Sequence, residues 1–515
     1  MIKQRSSMHN WLIFLSMTLA AALMNYDIGV VNLAVPVIAK DLHANMKDMQ
    51  WIVNIFTLCM SLFIIIGGKY SDQFSKKKIF LIGLFIFLAG VFIAGTSSSF
   101  LILLFGRFLQ GVGAGIGYLM PMNVIFSVFA KKQKEIALGV FFAVIAFAQG
   151  FGPAVGGVII KMSGWHWIFI YMLPFGILSF FSVLFFYKED ITPPKRMFVD
   201  YLGILFFGAF ILLLMLPIIE INSSIISTET RWLSLFLSLC CFIIFIRHER
   251  KIKAVKDGVQ VPLINFSLFK TKMFRKMFIV RATTAFPYFS CLFLLPLYFL
   301  SILRFSTVKA GFMLLIMMMT FSVGVIIFGK IISILKAKES LVIGLISYMM
   351  AMLFFINFNL NTSLTLIIIS LIFLGLALAL VIPFSTNLAV SSINKKYSGE
   401  AIALTYTIVM VIAALGPAIS PSILSLISNN YISTHISYFA NFSAEEAKAV
   451  YSIAHGMTSL EGGALSQYFD PEQAKTIGGI ARDGFIKGFS KTMYLNLALL
   501  VYTLVLILRL KFNKK

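Results

Sequence analysis

The chain is poor in charge, and poorest in acid. Of its 515 residues 12% are charged, with 20 Asp and Glu against 43 Lys and Arg. A soluble domain carries about twice that charged fraction, so a water-soluble globular protein is excluded. Cysteine is scarce as well. Cys59, Cys240, Cys241 and Cys291 lie in apolar stretches without metal-ligand or redox spacing, and read as small packing residues. No Gly-x-x-x-x-Gly-Lys-Ser/Thr run is present to cradle phosphates, which excludes ATP as a direct energy source. The six histidines form no His-Glu-x-x-His site, and neither a Gly-x-Ser-x-Gly elbow nor a paired-carboxylate cluster appears. No enzymatic chemistry, metal or cofactor is therefore expected.

What fills the chain instead is apolar. Hydrophobic residues make up 59%, and the mean hydropathy is +0.94, so most of the chain must face lipid. The basic excess would suggest nucleic acid in a soluble domain, but here it falls mainly between apolar segments, as the positive-inside rule describes. No nucleic-acid partner is expected.

A helix needs about 20 apolar residues to cross a bilayer. The pattern predicts fourteen spans, near 11–36, 49–68, 79–98, 100–123, 136–160, 166–187, 200–221, 231–248, 277–300, 308–332, 340–358, 362–386, 400–427 and 491–511. The start has the outline of a cleavable secretory signal, with Lys3 and Arg5 ahead of an apolar run ending Leu19-Ala20-Ala21-Ala22. That run continues past Asp27 to about Ile38, and the first helix is expected to be retained.

Placing the N-terminus in the cytoplasm puts Lys69, Lys76, Lys77, Lys78, Lys131, Lys132, Lys134, Lys188, Lys195, Arg196, Lys395 and Lys396 inside. The opposite loops are poorer in Lys and Arg, so both termini are expected in the cytoplasm and the stretch 428–490 outside. Punctuation at Thr192-Pro193-Pro194-Lys195-Arg196, and a basic linker from Arg247 to Lys276, divide the chain. The expected units are an N-terminal six-helix bundle over 1–199, an inserted helix pair with its linker over 200–276, and a C-terminal six-helix bundle over 277–515 carrying the loop 428–490.

Polar groups at membrane depth are costly and invite a functional reading. Asp27 lies about 16 residues into the first span and Arg107 lies within the fourth, while Arg281 and Glu220 fall nearer span ends, from which they could snorkel. A carboxylate in a low-dielectric cavity could exchange a proton as the cavity opens to either side. Asp27 is then a proton-coupling or cation-recognition group, with Arg107, Asn25 and Gln110 around it. The alternative is a permanent pair between Asp27 and Arg107 or a polar neighbour such as Asn25, holding the bundle together. Phe141, Phe142, Phe147 and Phe151 would offer a wall for flat cations, or be lipid-facing and core filler.

Several stretches resemble the major facilitator superfamily. Gly67-Gly68-Lys69-Tyr70-Ser71-Asp72-Gln73-Phe74-Ser75-Lys76-Lys77-Lys78 is similar to its signature loop, with Ser75 where the family usually has glycine. The resemblance implies a conformational latch at Gly68, Asp72, Lys76 and Lys77. Leu104-Phe105-Gly106-Arg107-Phe108-Leu109-Gln110-Gly111-Val112-Gly113 is similar to its buried-arginine motif. Gly150-Phe151-Gly152-Pro153-Ala154-Val155-Gly156-Gly157 looks like its export motif, carried by Gly152, Pro153, Gly156 and Gly157, where a plain packing kink is equally consistent.

Asp27-Ile28-Gly29-Val30-Val31-Asn32-Leu33-Ala34-Val35-Pro36, Val261-Pro262-Leu263 and Phe305-Ser306-Thr307 resemble the branch of 14-helix drug:proton antiporters. The second-half counterpart of the signature loop, from Gly329-Lys330 to Lys338, lacks the acid. The resemblance implies an all-α integral membrane protein with the major facilitator fold. It also implies a monomeric, proton-coupled exporter of lipophilic, cationic compounds in a bacterial inner membrane. An exporter of one endogenous metabolite, such as a siderophore, is the alternative, and a membrane receptor or enzyme is a remoter one.

Overall fold

A computed structural model describes residues 7–42, 46–73, 75–129, 131–187, 200–219, 227–254, 264–331, 337–394, 397–436, 442–454, 465 and 467–509. Among these, the regular structure is helical throughout. Glu220, the punctuation at 192–196, the linker through 255–263 and Lys395 and Lys396 lie outside the described residues.

The helices, in chain order, are α1 (Ser7–Asp41), α2 (Met46–Gln73), α3 (Lys76–Gly95), α4 (Phe100–Gly117), α5 (Met120–Val128), α6 (Lys131–Ser163), α7 (Trp167–Ile170), α8 (Met172–Phe186), α9 (Tyr201–Ile219), α10 (Thr228–Ala254), α11 (Lys272–Leu297), α12 (Thr307–Ile331), α13 (Ala337–Ile356), α14 (Leu364–Ser391), α15 (Ser398–His435), α16 (Ala444–Ala454) and α17 (Pro471–Leu508). Fourteen helical stretches are long and apolar enough to cross a membrane, in register with the fourteen spans read from the sequence. The fourth is broken at Tyr118 and Leu119, where Pro121 opens the next helix as α5.

Packing divides the helices into two groups. Helix α1 packs on α6 and α8, and α4 lies between α2 and α3; in the other group α11 packs on α15, α14 and α17, and α13 on α14 and α17. The groups meet along two seams, α6 against α12 and α2 against α15. Helices α9 and α10 form a hairpin that touches α2 and α15 from outside, and much of its surface is left to lipid: Phe236, Leu237, Leu239 and Trp232 are exposed.

Two span limits need correction. Both α15 and α17 run for 38 residues, about 57 Å of helix against a hydrocarbon core of about 30 Å. The segment 428–490 is thus not simply a loop. Its ends are continuations of α15 and α17, and with α16 they enclose a small separate core of Ile432, Ile436, Val450, Ile453, Leu465 and Ile477. The early start of α17 escapes a hydropathy reading because Lys475, Arg482, Asp483 and Lys487 dilute it. Local chemistry nevertheless marks it: Pro471 occupies the first turn, and the Asp470 carboxylate accepts from the backbone N–H groups of Glu472 and Gln473 at 3.1 and 2.8 Å.

Candidate functional site

The two groups of helices enclose a narrow cavity of about 70 Å³. One water needs at least roughly 10–15 Å³ of such space, so in this conformation there is room for a few waters, and a drug-sized solute would need the two helix groups to move apart. Each helix contributes a stripe at helical spacing. Helix α6 supplies Phe142, Ile145, Ala146 and Gln149, while α11 supplies Arg281, Thr284, Ala285, Tyr288 and Phe289. Asn25 of α1, Tyr118 beyond α4, Tyr348 of α13 and Tyr406 of α15 complete its polar lining. The rings of Tyr118 and Tyr406 face each other across the groups at 5.8 Å. Asn25 donates to the Tyr118 hydroxyl at 3.3 Å and to the Ala21 carbonyl at 2.8 Å.

Of the four residues expected to surround the proton or substrate, only Asn25 reaches this cavity. Asp27, two positions on, points to the opposite side of α1, because two residues turn a helix through about 200°. There it meets α4. Arg107 Nη1 lies 2.5 Å from Asp27 Oδ2, and Gln110 Nε2 donates to Asp27 Oδ1 at 3.3 Å. Arg107 also donates from Nε to the Ile52 carbonyl at 3.0 Å and from Nη1 to Gln110 Oε1 at 2.9 Å, and it lies over the Phe56 ring at 4.5 Å. Arg107 and Gln110, three residues apart, share one face of α4. Asp27 is fully buried and Arg107 nearly so, with both Asp27 oxygens and the Nε and Nη1 of Arg107 hydrogen-bonded.

Helix α6 explains its glycines. Pro153 has no N–H for the carbonyl four residues back, that of Gln149. Against that freed carbonyl packs Gly29 of α1, so closely that any side chain there would collide with it. Gly152 faces the same helix: a Cβ would lie 2.7 Å from the Tyr26 carbonyl. Gly156 abuts Val30. Gly157 turns the other way, where a Cβ would lie 2.6 Å from the Thr307 carbonyl at the start of α12, and Gly150 abuts Met318 of the same helix. Gly311 of α12 answers by packing on the Pro153 carbonyl. The motif therefore lets α6 contact α1 within its own group and α12 across the seam.

Gly68 and Asp72 lie within the helical backbone of α2, but the surroundings of both are outside what the structure describes, as is the segment 332–336 of the second-half counterpart. Lys77 donates from Nζ to the Leu184 carbonyl at 2.5 Å, tying α3 to the end of α8. Ser75, the departure from the family pattern, caps α3 by accepting from the Lys78 N–H at 3.2 Å.

Two readings change. Phe142 lines the cavity and Phe141 is buried, but Phe147 and Phe151 stack on each other at 5.2 Å, both 42% exposed, so they face outward and make no wall. Arg281 does not snorkel. It is 4% exposed and lies in the cavity, because α11 begins at Lys272 and places Arg281 nine residues in, about 14 Å along the axis. The sequence signal was available in Arg281-x-x-Thr284-Ala285-x-x-Tyr288-Phe289, a polar and aromatic stripe on one helix face.

Comparison with known proteins agrees with this arrangement. The sequence model of the Major Facilitator Superfamily matches residues 17–417. The riboflavin transporter RibZ of Clostridioides difficile (strain 630) is 28% identical over 59% of this chain and 64% of its own length. Multidrug resistance protein 3 of Bacillus subtilis (strain 168) is 26% identical over 67% of the chain and 66% of its own. The chain thus spans a little under two thirds of the length of these two relatives. The multidrug transporter protein MdtP of the same Bacillus is 24% identical over 93% and 87%. A crystal structure of a bacterial homologue of the human lysosomal transporter Spinster matches 99% of the chain and 100% of its own at 14% identity, with a TM-score of 0.63, which speaks for the fold. With fourteen apolar helices in this arrangement and most of its length matched, the chain belongs to the Major Facilitator Superfamily and is a multi-pass membrane protein.

Proposed function

We propose that this protein exports lipophilic aromatic compounds across the bacterial inner membrane, driven by proton influx, with both termini in the cytoplasm and the monomer as the working unit. The two helix groups alternate access around the cavity between them, rocking along the α6–α12 and α2–α15 seams. Asp27 carries the proton. When it is protonated its ion pair with Arg107 is lost, and α1 is free to shift against α4.

The observation that carries this reading is the placement of Asp27 and Asn25 on opposite faces of one helix: Asp27 holds Arg107, while Asn25 holds Tyr118 in the cavity. A change at one face of α1 is thereby felt at the other. Multidrug relatives support export of lipophilic compounds; the riboflavin transporter among the relatives favours the second reading, an exporter dedicated to one metabolite. The cationic substrate expected from the sequence finds no support in the lining, which holds Arg281 and, among the described residues, no Asp or Glu.

The test uses everted vesicles holding a proton gradient, with gradient collapse followed on adding candidate aromatic compounds. Substrate-dependent collapse in the natural protein that is lost in Asp27→Asn is expected. Collapse that persists in the variant removes Asp27 from the coupling step, and transport that proceeds without any gradient removes proton coupling itself.

A further inference from the structure

Arg281 is a buried cation without a counter-charge. It is 4% exposed, and among the described residues neither a carboxylate nor a hydrogen-bond acceptor reaches its guanidinium; its Nε is an orphaned donor. The acid nearest in the chain's logic, Asp27, is taken by Arg107 on the far side of α1. The Tyr288 hydroxyl, one stripe further along α11, is orphaned as well. A guanidinium does not shed its proton in the physiological range, so the cavity cannot escape the charge by neutralising it. Leaving such a charge unpaired is costly, and groups of this kind at membrane depth face partners or wet pathways. The missing partner is then the solute.

We infer that the cavity takes its substrate as an anion, with Arg281 as the counter-ion, and that the compounds carried are flat aromatic monoanions of the aryl carboxylate kind. The guanidinium fork matches a carboxylate with two parallel N–H···O bonds. Tyr118, Tyr288, Tyr406, Phe142 and Phe289 supply the ring faces for the aromatic body, and the free Tyr288 hydroxyl has a donor to offer. An ammonium compound in the same place would meet Arg281 with no acid to offset it. The inference rests on this cavity being the transport site, and it reverses the sign of the substrate charge.

The experiment is equilibrium binding to the full chain in lipid nanodiscs, with empty nanodiscs as the blank. The probes are 9-anthracenecarboxylate, 9-(aminomethyl)anthracene, which is an ammonium at neutral pH, and the neutral 9-anthracenemethanol. The carboxylate is expected to bind at least about tenfold more tightly than the ammonium, as a hydrogen-bonded charge pair warrants. Arg281→Gln should lose about that factor for the carboxylate with little change for the alcohol, and Arg281→Lys should retain part of it. Equal or tighter binding of the ammonium overturns the proposal, as does no carboxylate binding above the blank, or an Arg281→Gln protein with undiminished carboxylate affinity. If Arg281→Gln binds no alcohol it has lost its fold, and the comparison of probes on the natural protein decides. No proton gradient enters this measurement. A protein that binds the carboxylate but never consumes a gradient therefore sinks the coupling reading alone, while a proton-coupled protein that prefers the ammonium sinks only this one.

Discussion

Arg107 Nη1 lies 2.5 Å from Asp27 Oδ2, in a site where neither side chain is more than 1% exposed. Removing one member strands the other in the interior, at a cost of roughly 3–5 kcal/mol, while replacing both with apolar groups restores much of that. Arg107→Leu should lower the thermal midpoint of the purified protein clearly more than Asp27→Leu combined with Arg107→Leu, though neither should transport. Equal midpoints for the single and double variants would show that the two charges are not energetically coupled.

Gly157 lets the Thr307 carbonyl of α12 approach α6 to within reach of a Cβ at 2.6 Å. Gly157→Leu must push the seam apart, and transport should fall at least about tenfold while the protein still inserts. The neighbouring Val158, 37% exposed toward lipid, is the control. Val158→Leu should transport normally, and a comparable defect there would mean that the seam is not what Gly157 serves.

Phe142 is the cavity phenylalanine of α6, whereas Phe151 stacks on Phe147 outside. Phe142→Ala should weaken binding of 9-anthracenemethanol by about fivefold to tenfold, in line with the loss of one aromatic contact. Phe151→Ala should leave it unchanged. The reverse pattern would relocate the binding wall to the lipid-facing side of α6.

Asp470 accepts from two backbone N–H groups at the start of α17. Asp470→Ala should cost about 1 kcal/mol of local stability. Hydrogen exchange should speed up over residues 471–481, where the small core around Ile432 and Ile477 is packed, with transport nearly intact. Unchanged exchange there would argue that this core holds the helix end without its cap.

Much of the architecture could be read along the chain because a bilayer makes the rule local. Each span must satisfy its own backbone and be apolar over about 20 residues, so counting them needs no knowledge of neighbours. The motif residues were legible for a similar reason: Pro153 and its flanking glycines announce a bend and a close approach from composition alone. The rule misled where its local signal was diluted. Lys475, Arg482, Asp483 and Lys487 hid the first half of α17, and a start for α11 placed five residues late put Arg281 at an interface it does not occupy.

The sequence by itself determined that the chain is a polytopic helical membrane protein, how many of its stretches can span a bilayer, and that Asp27 and Arg107 are buried charges in want of an explanation. Only the tertiary structure decided which of them explains the other. The pairing of Asp27 with Arg107 and Gln110 spans some 80 residues of chain, and helical periodicity says which face a residue takes but not what that face meets. The same holds for the cavity. Among the described residues Arg281 is left without a partner there because α1 turns its acid toward α4, and that is settled by how helices pack, not by what any one of them contains.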